Sequence, residues 1–234
     1  MKKILVLVAV ILTSIITANA IEANQNSVIK YKADEKLDII ESSFNRPIIS
    51  HTFNKTSKEG IITFKGSLTK ISREAFYGVA EWLSLPESLL DISEVQFGDC
   101  YVEEFRGKFA AMKGRCLIVN GKLLKCTEIK EGKDFTIPNG ITRICQDAFM
   151  YNHFASITIP ASVTEIHGSA FNNACGKLIM LSSKAPKIYG GPLHDTEGTD
   201  RAVFTTKVFV PKGAAANYKN APYWRDNKNL IFEY

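Results

Sequence analysis

Histidine is scarce in this chain, with four in 234 residues, at positions 51, 153, 167 and 194. A catalytic nucleophile needs a base within hydrogen-bond reach and a third group to orient that base. Scattered histidines offer no such grouping, and His153 and His167 read as ordinary surface and turn residues. Neither a GxSxG elbow nor an HExxH pair occurs, so serine-hydrolase and zinc-protease chemistry have no signature here. CxxC is missing as well, which removes the usual zinc and dithiol-redox spacings. Beyond Ile16 no long apolar run appears, so no integral membrane segment is expected once the leader described below is removed. Basic residues are scattered rather than clustered, which argues against nucleic acid as a partner and against a polybasic membrane patch. The expectation is a chain with no catalytic residues, no cofactor and no metal centre.

What is present starts with export. Lys2 and Lys3 precede an apolar run from Ile4 to Leu12 that continues to Ile16, followed by Ala18-Asn19-Ala20. A positive end, a short apolar stretch and small residues two apart form the pattern after which signal peptidase cuts. Residues 1–20 are therefore expected to be a signal peptide and the mature chain to be exported, either secreted or at the cell surface, with the periplasm as the alternative. No cysteine stands at the junction to take a lipid. Loss of Lys2 and Lys3 lowers the formal net charge from +5 to +3, and the 45% apolar composition supports a folded chain.

Five cysteines, at 100, 116, 126, 145 and 175, sit in a chain whose expected compartment lets disulfides persist, and the odd number leaves at least one thiol free. Cys116 and Cys126 flank CLIVNGKLLKC, which reads as a hairpin turning at Asn120-Gly121. A two-residue turn places Cys116 opposite Lys125. A three-residue loop is needed to place it opposite Cys126, so a bridge is the less favoured arrangement.

The middle of the chain repeats itself. Phe135 to Phe149 reads FTIPNGITRICQDAF and Ile157 to Phe171 reads ITIPASVTEIHGSAF, with the terminal phenylalanines 22 residues apart (149 to 171). Ile62 to Phe76 and Leu83 to Phe97 share the apolar positions of these copies. In the first, Ile62, Phe64, Leu68, Ile71, Ala75 and Phe76 correspond to Ile157, Ile159, Val163, Ile166, Ala170 and Phe171 in the fourth. Alternation at the head of each unit makes a short strand with Thr63, Ser84, Thr136 or Thr158 pointing outward. Pro86, Pro138 and Pro160 end those strands, a second extended piece follows the corner, and the Ala-Phe pair fills the space between turns. One such unit buries too little to be stable alone, but stacked units share a continuous core.

These units resemble the BspA-like leucine-rich repeats of bacterial surface proteins, whose pattern is roughly IxIPxSVTxIGxxAFxxCxxL; Ile157 to Phe171 with Cys175 beyond carries it most fully. Gly60 to Ile71 is similar to that family's opening turn, and Val208 to Gly213 with Tyr218 and Trp224 to its closing segment. Lys65, Gln96, Cys145 and His167 depart from the pattern. The resemblance implies an α/β leucine-rich-repeat solenoid, predominantly short β-strands in parallel stacked turns with little helix. The expected organisation is a signal peptide over 1–20, an N-terminal capping segment over 21–60 and the solenoid over 61–183, with an inserted hairpin near 115–126 that lengthens one turn without breaking the stack. An irregular loop and a C-terminal capping segment occupy 184–234, where Trp224, Leu230 and Phe232 are expected to close the open end. Cys100 and Cys175, just past the repeat-ending phenylalanines, are expected to act as small buried hydrophobes.

By resemblance the protein is a non-enzymatic recognition module holding a protein or glycan through the solenoid sheet and loops, with adhesion to host or other bacterial surfaces as one use. Tyr77, Trp82, Tyr101, Tyr151 and Tyr189, in outward strand slots or in loops, are the candidate contact residues, because exposed aromatics bring large contact area at small entropic cost. Asp195, Glu197 and Asp200 are weak candidates for a cation, although calcium takes six or more oxygen ligands and three carboxylates do not supply them. Two other readings compete. One is an accessory domain or weak hydrolase with a carboxylate pair such as Asp195 and Asp200 in the 184–201 loop; the other is a structural spacer in a surface assembly.

Overall fold

The computed structural model describes residues 26–72, 74–92, 100–127, 132–150, 152–167, 170–171, 174–189 and 206–234. The expected signal peptide, Tyr151, and the loop carrying His194, Asp195, Glu197 and Asp200 lie outside the described residues.

Apolar residues at every second position give the N-terminal part its strands: β1 (Val28–Lys32), β2 (Asp38–Ile39), β3 (Ile48–Asn54), β4 (Glu59–Phe64), β5 (Lys70–Ile71), β6 (Phe76–Ser84), β7 (Asp91–Ile92) and β8 (Cys100–Arg106). The six apolar slots of the first repeat are all buried. Their strand, however, is not stacked directly on the next turn. β1 lies between β4 and β6 and is antiparallel to both, while β3 covers the outer edge of β4. Ile29 and Tyr31 explain the insertion, because they reach the core from β1 in register with Ile62 and Leu83. Parallel stacking begins with β6 on β8 along one wall and β5 on β7 along the other.

Tyr31 also dictates a glycine. Gly60 faces it across the ladder, and a Cβ there would lie 1.9 Å from the ring carbon Cζ. Phe53 flanks Gly60 from β3, so the two rings stack at 6.2 Å and 10° above a backbone with no side chain.

The insertion folds as β9 (Ala110–Ala111), β10 (Cys116–Val119) and β11 (Lys122–Cys126). Asn120 and Gly121 both have positive φ, 48° and 75°, as a type I′ turn requires. Val119 pairs with Lys122 and Ile118 with Leu123; a bulge at Leu124 then places Leu117 opposite Lys125 and Cys116 opposite Cys126. The two cysteines, with Cα atoms 4.3 Å apart, form a disulfide. The turn has two residues, not three, and the extra residue needed for the bridge comes from the bulge.

This hairpin separates two cores. Leu117, Val119 and Leu124 belong to the N-terminal one, with Ile29, Phe64 and Phe105. Cys116, Leu123 and Cys126 belong to the C-terminal one, with Phe149, Phe171 and Trp224. Contrary to the expected uninterrupted stack, among the described residues no ladder joins β7 to β11 or resumes from β8 on the next turn. Side chains span the first gap: Asn120 Nδ2 donates to Leu90 O at 2.7 Å and Lys122 pairs with Asp91 at 3.1 Å.

Beyond the hairpin the solenoid is regular. β12 (Asp134–Thr136), β13 (Arg143–Ile144), β14 (Ser156–Ile159), β15 (Glu165–His167), β16 (Lys177–Met180), β17 (Lys187–Tyr189), β18 (Lys207–Val210) and β19 (Ile231–Glu233) build two parallel walls. One wall runs β12-β14-β16-β18-β19, the other β11-β13-β15-β17. Phe149 stacks on Phe171 at 5.3 Å, while Ala148 and Ala170 leave room for neighbouring turns to approach. Helix is scant, α1 (Ala215–Asn220) being the one α-helix among the described residues. It brings Tyr218 against Trp224, whose Nε1 donates to Pro186 O at 2.9 Å. These two residues close the end of the core; Phe232, expected to help them, is instead 41% exposed.

Candidate interaction surface

Alternation along the strands leaves one row of side chains outside each wall, and stacking aligns those rows across turns. On the wall built from β12, β14, β16, β18 and β19 the outer row is Thr136, Thr158, Ile179, Phe209 and Phe232, each facing the next in register. It changes character along the stack, from threonine in two turns to apolar in three. None of the last three residues enters the core. The rings of Phe209 and Phe232 lie 5.7 Å apart. Leu181 and Tyr234 extend the apolar face at 46% and 56% exposure, and Tyr234 Oη donates to Met180 O at 3.2 Å. Beside this row runs another, Asp134, Ser156, Lys177 and Lys207. Its first carboxylate accepts a hydrogen bond from Ser156 Oγ.

The opposite wall carries charge. Lys70 faces Asp91, Asp91 pairs with Lys122, and Lys122, Arg143, Glu165 and Lys187 continue in register. Burial raises the Glu165 carboxyl, but the hydrogen bond and charge of Arg143, with those of His167, outweigh it and hold Glu165 below its ordinary value. The His167 ring stacks on Tyr189 at 5.0 Å, and Lys187 Nζ lies 4.2 Å from the Tyr189 ring centre.

Of the aromatic residues singled out in the sequence, three lie on the paired strands β6 and β8 and Tyr189 lies on the charged wall. Tyr77 and Trp82 lie on β6, Tyr101 on β8 and Tyr189 on β17. Trp82 is on the outer face, but Arg106 lies over its ring at 4.7 Å and leaves it 9% exposed. Tyr101 is half-buried beside a hollow of about 10 Å³ shared with Cys100, Lys125, Thr127 and Met150, room for about one water molecule. Burial pushes the thiols of Cys100 and Cys175 up to about 12, so both are protonated at neutral pH, and it lowers the pKa of Lys125. Lys125 Nζ donates to Asp147 O at 3.3 Å, tying the hairpin to the next turn. Sequence reading passed over Ile179 and Phe209. The signal was the alternation in Lys177-Leu-Ile-Met180 and Lys207-Val-Phe-Val210, which repeats the strand slot of the earlier units.

The family described as BspA type leucine rich repeat region matches residues 46–179 as six copies, more than half of the chain. The protein belongs to this family. Six copies exceed the four units legible in the sequence. BspA-type leucine-rich-repeat proteins are typically bacterial surface proteins, and their repeats typically form non-enzymatic scaffolds for protein interaction. Among the described residues of this leucine-rich-repeat protein, no helix is long and apolar enough to cross a membrane, and no group of His, Cys, Asp and Glu is placed to hold a metal ion. No curated protein matches the sequence significantly.

Proposed function

We propose that the protein is an exported, non-enzymatic recognition module that holds a protein or glycan on the outer face of its C-terminal wall. One observation carries the reading: the outer row of that wall turns from Thr136 and Thr158 to Ile179, Phe209 and Phe232, apolar side chains the core does not use. Aromatic and aliphatic groups aligned on a rigid sheet supply the desolvated centre from which most binding energy comes. Export is supported by Lys2, Lys3, the apolar run and Ala18-Asn19-Ala20.

The test is a binding screen on extracellular-matrix protein and glycan arrays, with a Phe209→Thr/Phe232→Thr variant alongside. Threonine is the residue the earlier turns place in the same slot, so the strands are preserved. Signal on the wild type that falls at least about tenfold on the variant supports the reading. Signal that survives the substitutions places recognition elsewhere.

A further inference from the structure

Several exposed cations elsewhere on the molecule have a carboxylate within reach. Lys32 pairs with Glu81, Lys58 with Asp34, Arg106 with Glu104, Lys122 with Asp91 and Arg143 with Glu165. Lys177 and Lys207 differ from these. They face each other in register on β16 and β18, both exposed, in the row beside Ile179 and Phe209. Like charges placed directly opposite each other on a sheet repel, and among the described residues neither has an acidic partner. The carboxylate on the neighbouring strand is committed: Glu233 accepts the N–H of Ala215 at 3.0 Å and that of Gly213, at the start of α1.

We infer that the partner held on this face is a protein segment whose apolar side chains are flanked by carboxylates. This rests on the reading above that the C-terminal wall is the recognition surface, and adds the chemistry of what it takes. Apolar groups lie on Ile179, Phe209 and Phe232, while carboxylates beside them meet Lys177 and Lys207 and remove a repulsion the free protein carries. Charge complementarity of this kind steers association and selects partners more than it adds affinity. An anionic membrane offers the same charge. At the centre of the face, beside the two lysines, Ile179 and Phe209 are half-buried, which suits a strand laid along the row; Leu181, Phe232 and Tyr234 at its margin are more exposed, and the vesicles in the experiment test the membrane directly.

The experiment measures fluorescence anisotropy of labelled synthetic peptides alternating phenylalanine or valine with glutamate, with serine, or with lysine. The protein is compared with its Lys177→Glu/Lys207→Glu and Phe209→Thr/Phe232→Thr variants. Phosphatidylglycerol vesicles are a parallel probe, and circular dichroism melts verify that each variant is folded. The glutamate peptides are expected to bind at least about tenfold tighter than the lysine peptides at low ionic strength, with the preference shrinking as salt is added. In the Lys177→Glu/Lys207→Glu variant the preference should reverse. Equal binding of all three peptide classes, lost in the phenylalanine variant, overturns the acidic partner and leaves the recognition surface standing. Binding indifferent to the phenylalanine variant contradicts the surface itself. A glutamate preference that persists in the lysine variant, binding to vesicles alone, or no binding of any peptide overturns the inference.

Discussion

At the scale of single residues the N-terminal sheet depends on contacts among positions far apart in sequence. Leu37 N–H donates to Tyr31 Oη at 3.2 Å, and Tyr31 Oη shares a hydrogen bond of 2.8 Å with His51 Nε2. Burial, and secondarily the positive charge of Lys36, depress the His51 pKa from 6.5 to about 4, opposed by Asp38. A folded pKa below the unfolded one contributes stability that is complete above about pH 6.5 and is lost as pH falls toward about 4. Unfolding in urea at pH 7 and again near pH 4.5 should show a loss of roughly 2 kcal/mol, allowing for the partial exposure of His51. A His51→Gln variant should show a much smaller loss. Asp34, Glu104, Glu165 and Glu233 are depressed as well, and their contributions also begin to be lost as pH falls to the ordinary carboxylate range, so the difference between wild type and His51→Gln isolates the part that belongs to His51. Gly60→Ala brings a Cβ into the Tyr31 ring and is expected to cost about 2 to 3 kcal/mol in the same assay. Neither dependence was legible in the sequence: Gly60 and Tyr31 are ordinary residues until β1 is known to pair with β4.

At the scale of elements, what was legible and what was not divides by periodicity. The slots from Ile62 to Phe76 and from Ile157 to Phe171 read correctly as core because each unit repeats the same spacing, and stacking turns that spacing into burial. β1 and β3 carry no repeat, so nothing in their sequence announced that β1 would separate the first two turns. In the hairpin, Asn120-Gly121 fixed the turn, whereas the bulge at Leu124 arose from its neighbours: Leu124 faces the N-terminal core, while Leu123 and Cys126 face the other. Because the disulfide closes a short loop in the wall between the cores, Cys116→Ser should lower stability by about 3 kcal/mol through the freed unfolded chain. Thermal melts under oxidising conditions test this, with far-ultraviolet dichroism expected to retain the strand signal. The outer row was half visible. Thr136 and Thr158 were read as outward, but the strands at Lys177 and Lys207 lie 30 residues apart (177 to 207), off the 22-residue step, which concealed that Ile179 and Phe209 continue the row.

At the scale of the molecule the solenoid is asymmetric. In its N-terminal part Trp82 lies beneath Arg106, and on its charge-bearing wall Asp91 and Glu165 pair with Lys122 and Arg143. The C-terminal wall keeps an uncovered apolar row and two unmatched lysines. Phe209→Thr/Phe232→Thr should therefore change folding stability by no more than about 1 kcal/mol, because the core loses nothing and threonine suits a strand. Chemical denaturation of the double variant beside the wild type checks this separation of folding from recognition.

Photo-crosslinking tests the central claim most directly. A benzophenone amino acid replaces Phe232 in one sample and Val79, 60% exposed on β6 at the other end of the solenoid, in a second. Both are irradiated with the partner recovered from the array screen. The account predicts an adduct from position 232 and none from position 79; an adduct from position 79 alone would contradict it.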